Sequence, residues 1–370
     1  MKIENGNAIC SFVNAAEEPF ELTPSLLSNS LDIVSPDEFV VFHSDSNQNK
    51  ISDRLTTLES KLSLDYLHPQ ERESILSICR SFNDIFHLDG DKLSVSDAAY
   101  HYIPLKPNSK PVYVKPYRLP EATKTEILNQ VSDMLHNGII EPSKSPWNFP
   151  LLIVPKKSVD GNKKWRLVVD YRKLNEITVD DIFPLPNIPE ILDQLGKASY
   201  FSTIDLATGY HQIPMDPKDS AKTAFSTSNG HFQFTRMPFG LKGAPATFQR
   251  LMNAVLTGLN GVKCFVYLDD IVIYGVNLSD HNSKLNDVFQ CLRQNKLKIN
   301  PSKCQFLRKE VLYLGHIITP DGIKPDPSKV TAIENFPVPR DQKQVKSFLG
   351  LAGYYRRFPK HLQIIANQKA

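Results

Sequence analysis

The stretch Tyr267-Leu268-Asp269-Asp270 sets two adjacent carboxylates between two short apolar runs, Cys264-Phe265-Val266 and Ile271-Val272-Ile273-Tyr274. Both runs are rich in β-branched and aromatic residues and have the length of strands, so the pair is expected at a hairpin tip. Two anions side by side repel, and burial beside apolar strands raises the cost of keeping both ionised. Divalent cations relieve both costs, and hard oxygen donors of this kind suit Mg²⁺. The alternative is a solvated acidic turn, and the chain holds one for comparison. Asp180-Asp181 runs into Phe183-Pro184-Leu185-Pro186, which cannot continue as a strand, and reads as a turn.

A two-metal site needs a third carboxylate from another strand. Phe201-Ser202-Thr203-Ile204-Asp205-Leu206 is an apolar, β-prone run with one acid in it, which is costly unless the acid is paired or binds metal. The following Ala207-Thr208-Gly209-Tyr210 leaves the strand pattern, so Asp205 is expected at a strand end. Paired beside the hairpin, it would bring three carboxylates together. Two cations about 4 Å apart then clamp the attacking and leaving oxygens of an in-line phosphoryl displacement. That is polymerase or nuclease chemistry.

Trp147-Asn148-Phe149-Pro150, Trp165 to Asn175, Phe201 to Pro214, Arg236-Met237-Pro238-Phe239-Gly240-Leu241-Lys242, Tyr267 to Asp270 and Tyr313-Leu314-Gly315-His316 occur in this order. Together they resemble the reverse transcriptase of gypsy/Ty3-type LTR retrotransposons, kin of the retroviral enzymes, over about residues 65–358. The resemblance implies an α+β right-hand polymerase: an antiparallel palm sheet, fingers before and within it, and a partial helical thumb. It implies RNA-directed DNA polymerase activity, in which a primer 3′-hydroxyl attacks a dNTP and pyrophosphate leaves. Asp205, Asp269 and Asp270 are then both the catalytic residues and the ligands of two Mg²⁺, with Mn²⁺ as a substitute. RNA as template rests on the resemblance alone, because two-metal geometry serves DNA templates equally well. Expected partners are an RNA or DNA template with its primer, dNTPs and other parts of a Gag-Pol polyprotein, with no membrane. The rival is a catalytically silent retroelement remnant that only binds nucleic acid.

The same resemblance assigns supporting roles. Tyr210 becomes a steric gate under the sugar of the incoming nucleotide, where the bland reading is a core aromatic. Phe239-Gly240 becomes the loop lining the nucleotide pocket. Lys164 and Arg166 lie on a basic hairpin with Lys156, Lys157 and Lys163, which is either a solvated loop or a finger that closes on the triphosphate. Leu314-Gly315-His316 resembles the primer grip, although a lone histidine is as often structural. Tyr267 is placed with the primer and template, and Gln249 either faces the template or is surface.

Composition sets outer bounds. Hydrophobic residues make up 41% of the 370, ample for a core, and no run approaches the ~20 apolar residues of a membrane span. Cysteines 10, 79, 264, 291 and 304 are odd in number and form no C-x-x-C. Neither a disulfide framework nor a zinc site is indicated, and an intracellular, cytoplasmic setting or a virus-like particle is expected. The net charge of +3 hides a division. Residues 1–100 carry 7 Lys+Arg against 17 Asp+Glu, and the remainder 36 against 23, a basic body suited to a polyanion.

Along the chain, residues 1–98 read as an acidic leader, poorly ordered over the first 50 and then carrying short helices around Leu58 and Ile75-Ile78-Cys79. Residues 99–323 read as fingers and palm, with a core domain at about 136–318, and 324–370 as the partial thumb. Tyr100 to Pro120 is a Pro- and Lys-rich extended lead-in that wraps the body. Ile127, Val131, Met134 and Leu135 mark one face of a helix that stops at Gly138. Lys222–Ser226 and Phe232–Met237 read as strands joined by a type I′ turn at Asn229-Gly230. Phe248, Leu251, Met252 and Val255, and likewise Leu285, Val288, Phe289 and Leu292, are core stripes of helices. With the chain ending at Ala370, the resemblance leaves no room for a full thumb, RNase H or integrase, so weak template grip and low processivity are expected.

Overall fold

The computed structural model describes residues 2–4, 7–9, 45–118, 120–156, 164–196 and 198–358. Lys2–Glu4 (β1) and Asn7–Ile9 (β2) pair antiparallel within a first unit, residues 1–50. The second unit, residues 51–370, holds the other strands. These are β3 (Ile140–Pro142), β4 (Leu151–Lys156), β5 (Lys164–Val169), β6 (Tyr200–Asp205), β7 (Phe225–Thr227) and β8 (Gly230–Phe234). They are followed by β9 (Cys264–Tyr267), β10 (Asp270–Gly275), β11 (Gln305–Arg308), β12 (Val311–Tyr313), β13 (His316–Thr319) and β14 (Gly322–Pro325).

The central sheet runs β11-β6-β10-β9 with every neighbour antiparallel. Successive side chains of a strand point to opposite faces, and here both faces are covered. Ile271, Ile273, Cys264 and Val266 join the main core, with Phe248 and Met252 of the Ala244–Val255 helix and Val288 and Phe289 of the Leu278–Gln294 helix. Val272, Phe265 and Phe201 enter a second cluster with Ile191, Leu192 and Leu195 of the Ile188–Leu195 helix and Val311, Tyr313 and Ile318 of β12 and β13. A sheet buried on both sides needs no polar alternation, so its strands read as unbroken apolar runs.

The helices expected around Leu58 and Ile75 form as Asp45–Lys61 and Pro69–Ser81, and Leu58, Ile75, Ile78 and Cys79 all lie in the main core. Leu58 and the Pro69–Ser81 helix therefore belong to the second unit despite the acid-rich composition around them. The Glu121–His136 helix ends before Gly138, whose φ is +61°, as expected. Leu135, however, is 36% exposed, because the inner face is centred on Ile127 and Val131. The Pro327–Glu334 and Gln342–Tyr354 helices pack on each other through Ile333, Phe348, Leu351 and Tyr355. Among the described residues, no helix is long and apolar enough to cross a membrane.

The hairpin before the Ala244–Val255 helix corrects the expectation. Ala221–Thr223 form a 3-10 turn, β7 starts only at Phe225, and β8 ends at Phe234. Thr227 pairs with Gly230, so the turn is Ser228-Asn229 rather than Asn229-Gly230. This register brings Phe225 against Phe232 and Phe234, and burying three rings outweighs the local preference of Asn-Gly. β14 had no counterpart in the sequence reading. The middle of the basic hairpin, with Lys157 and Lys163, lies outside the described residues.

Two buried histidines give the fold a pH dependence. His101 and His281 are 1% and 0% exposed, and burial pushes each pKa down to about 4. Asp219 and Asp181 oppose that shift at His101, as do the Asn282 side chain and Asp280 at His281. An unfolded histidine titrates near 6.5, so the unfolded chain takes up these protons first as pH falls. Their stabilisation is intact above about pH 6.5, declines down to about pH 4 and is flat below. Each site accounts for at most about 3 kcal/mol across that window. Denaturant midpoints at pH 7.5 and pH 5 should show the loss, and His281→Gln should remove its own share of the slope.

Candidate active site

β6 and β10 pair so that Asp205 stands opposite Asp270, Ile204 opposite Ile271, and so on to Tyr200 opposite Gly275. Directly opposed residues of an antiparallel pair have Cα atoms about 5 Å apart. Asp269 precedes Asp270 in the two-residue turn Leu268-Asp269, closed by the pairing of Tyr267 with Asp270. The three acids thus share one end of the central sheet. Burial against the sheet, then repulsion from Asp269 and Asp205, pushes the Asp270 pKa up to about 6, while Lys303 pulls it down. Lys303 Nζ lies 3.0 Å from both carboxylate oxygens of Asp205.

This donor set fits a divalent cation on two observations. It is anionic and all-oxygen, and the strand register sets Asp205 opposite Asp270 with Asp269 next in the chain. Lys303 already places one positive charge on Asp205. Among the described residues no group of three His, Cys, Asp or Glu is drawn up in ligand geometry, so the aspartates are neighbours rather than a closed cage.

The turn bearing Asp269 is held from behind. Leu268 has φ +55°, a region disfavoured for a branched side chain, by about 1–2 kcal/mol. Its N–H donates to Gln249 Oε1 at 2.8 Å, and Gln249 Nε2 donates to Asn253 Oδ1 at 3.0 Å. Gln249 is 0% exposed. This corrects its expected place at the template or surface: Phe248, Leu251 and Met252 fix the helix so that Gln249 faces the turn. Gln249→Leu should orphan the Leu268 N–H and lower turnover about tenfold to a hundredfold, with a stability loss of about 1–2 kcal/mol. Single-turnover kinetics alongside a thermal melt would check both.

An open cleft of about 480 Å³ adjoins the acids, lined by Arg166, Asp205, Gly209, Tyr210, Phe239, Asp269, Asn300 and Lys303 among others. Tyr210 stacks on Phe239 with ring centres 5.0 Å apart, and the Arg166 guanidinium lies 5.6 Å from the Phe239 ring centre. A Cβ on Gly209 would meet Phe248 Cζ at 3.0 Å, so glycine is what lets Tyr210 sit this low over the core. Gly240, at φ +91°, accepts a hydrogen bond from Asn175 Nδ2 at 2.8 Å, which fixes the loop after Phe239. Lys164 opens β5 opposite Lys156, and its side chain lies outside the described residues. Lys303 and Asn300 were not singled out in the sequence. Lys-Ile-Asn-Pro-Ser-Lys carries no local signal of a cation aimed at an acid 98 positions away.

The expected primer-grip residues lie outside this cleft. Leu314 and Gly315 are the two turn residues between β12 and β13, with φ +48° and +71°, the pattern of a type I′ hairpin. His316 is only 2% exposed, its Nδ1 2.8 Å from Leu314 O and its ring among Tyr354, Tyr355 and Phe358. The rings hold it in packing, the structural alternative expected of a lone histidine. Tyr355 and Tyr354 donate to Gly315 O and Leu314 O at 3.0 and 2.8 Å, tying the last helix to the turn. Tyr267 packs on the second cluster.

The family model "Reverse transcriptase (RNA-dependent DNA polymerase)" matches residues 154–318. The chain is 48% identical over 300 residues to the retrovirus-related Pol polyprotein from transposon 297 of Drosophila melanogaster, covering 81% of this chain and 28% of that protein. With the Pol polyprotein from transposon gypsy of the same organism it shares 44% over 261 residues, 70% of this chain and 25% of the relative. It therefore spans about a quarter of the length of these relatives. Among solved structures, the foamy viral protease-reverse transcriptase in complex with RNA/DNA hybrid superposes with a TM-score of 0.69 at 26% identity, over 86% of this chain and 42% of that one. The sheet that gathers the acids lies inside the matched region, and the chain belongs to the reverse transcriptases of gypsy/Ty3-type retrotransposon Pol polyproteins.

Proposed function

We propose that the chain is an RNA-directed DNA polymerase that extends a primer 3′-hydroxyl with dNTPs, working as part of a Pol polyprotein. The register that sets Asp205 opposite Asp270, with Asp269 next to it, carries this reading. Asp205, Asp269 and Asp270 would hold two divalent cations, Mg²⁺ or Mn²⁺, which supply charge neutralisation at the attacking and leaving oxygens. Arg166, exposed at the cleft wall, meets the triphosphate. The stacked Tyr210 and Phe239 form a flat floor for the sugar, and the Tyr210 ring obstructs a 2′-hydroxyl. Gln249 fixes the acidic turn in advance, so no reorganisation is needed when charge develops. The template is RNA or DNA, in keeping with the hybrid bound by the foamy viral neighbour. Cys79, Cys264, Cys291 and Cys304 are unpaired, which suits a reducing intracellular setting.

Primer extension on poly(rA)/oligo(dT) with Mg²⁺ and dTTP tests the reading. Extension is the expected result. Duplex binding without extension would instead mark a silent nucleic-acid binder.

A further inference from the structure

The lead-in strap at 99–118 has a role that the catalytic cleft does not absorb. From Ala99 to Pro120 the sequence has no Asp or Glu, four Lys or Arg and four tyrosines. In an extended chain, neighbouring side chains point to opposite sides, and the strap sorts them sharply. His101, Ile103, Val112 and Val114 face the protein, the first two 1% and 2% exposed and the valines packed on the main core. Tyr100, Tyr102, Tyr113 and Tyr117 face solvent, 47%, 57%, 66% and 40% exposed. Lys110, Lys115 and Arg118 are exposed as well, and none has an acidic partner among the described residues.

The strap is not a loose tail. The Val114 N–H donates to Asn148 O at 2.8 Å, the Asn148 N–H to Val112 O at 3.1 Å, and the His101 N–H to Pro214 O at 2.9 Å. The backbone is thus fixed while the outward rings are left bare. A large ring with two rotatable bonds loses little entropy on stacking. Its far end adjoins the catalytic cleft. Tyr117 donates to Asp170, the residue after β5, and the helix starting at Glu121 supplies Gln130, Asp133 and Met134 to the cleft wall. The acids beside Tyr102, Asp180 and Asp181, are neutralised by Lys242 and Arg250.

We propose that this strap is a track for the unpaired part of the template strand, whose bases stack on the outward tyrosines while Lys110 and Lys115 meet its phosphates. Positive charge without acids selects a polyanion, and interleaved bare rings select one whose bases are not already stacked in a duplex. The proposal rests on the polymerase reading for the identity of the strand.

The test uses fluorescence anisotropy with two labelled primer–template duplexes, one blunt and one with an unpaired template extension of about ten nucleotides. The full chain is compared with the combined variant Lys110→Ala, Tyr113→Ala, Lys115→Ala. The wild-type chain should bind the extended duplex more tightly, and the variant should lose about tenfold or more of that affinity and nothing on the blunt duplex. The salt dependence for the extended duplex should flatten by about 1.4 in log–log slope for two lost phosphate contacts. Tyr113→Phe keeps the ring and should behave as wild type, which separates stacking from a structural role of the hydroxyl. Equal loss on both duplexes, or none on either, overturns the track while leaving the polymerase reading intact. A wild-type chain that binds neither duplex overturns both. A concentration-dependent dimer in sedimentation that the triple substitution abolishes assigns the strap to a second copy of the chain and overturns it too.

Discussion

Asp269→Asn should reduce dNTP incorporation by about 10³-fold or more, the loss of roughly 4 kcal/mol of transition-state stabilisation, while the protein unfolds at an unchanged temperature. The two halves of that result have separate causes. Asp269 is exposed at the turn, and the turn is held by the Leu268 N–H to Gln249 bond and by the pairing of Tyr267 with Asp270. Neither contact involves the Asp269 side chain. Replacing an anion by an amide of the same shape also relieves repulsion on Asp270, so stability should hold or rise slightly. Activity responds oppositely, because the neutral amide is a much poorer ligand for a hard cation. Steady-state primer extension beside a thermal melt separates the two, and near-normal incorporation by the variant would refute the assignment.

Gly275→Ala should destabilise the fold by about 3 kcal/mol, lowering the melting temperature by roughly 4 °C. A Cβ at this position would lie 2.6 Å from His281 Cβ and 2.7 Å from His281 Cα and N. Those neighbours are mostly backbone and cannot swing aside. His281 cannot retreat either, since its Nε2 lies 2.8 Å from Ser202 Oγ in β6, and the Leu307 N–H of β11 donates to the same oxygen at 3.0 Å. The clash therefore reaches the strands that position Asp205. Gly350→Ala is the control: it lies in the Gln342–Tyr354 helix with nothing within 4 Å, and should be neutral or stabilising by about 0.5–1 kcal/mol. Equal melting temperatures for Gly275→Ala and wild type would show that the helix N-terminus yields freely.

Much of the fold was legible because it follows from local periodicity. Phe289 and Leu292 announce a buried helix stripe, and both are 0% exposed. Where the reading missed, a distant contact had overruled a local preference. The Asn229-Gly230 pair is displaced from its turn by the packing of Phe225 on Phe232 and Phe234. Gln249 sits on a helix whose apolar face was read correctly, yet nothing local says that a polar residue on that helix is wholly interior. Its partner is the peptide N–H of Leu268, a group identical at every residue in a sequence.

The sequence alone determined that two carboxylates cap a hairpin of apolar strands, and that a third acid ends another strand. Alternation and turn chemistry act within a few residues, so the chain states such features wherever they occur. Only the tertiary structure decided that Asp205 stands opposite Asp270, that Lys303 reaches Asp205, and that Gln249 braces the acidic turn. Those are matters of register and approach between segments far apart in the chain, set by how two apolar faces close over one sheet.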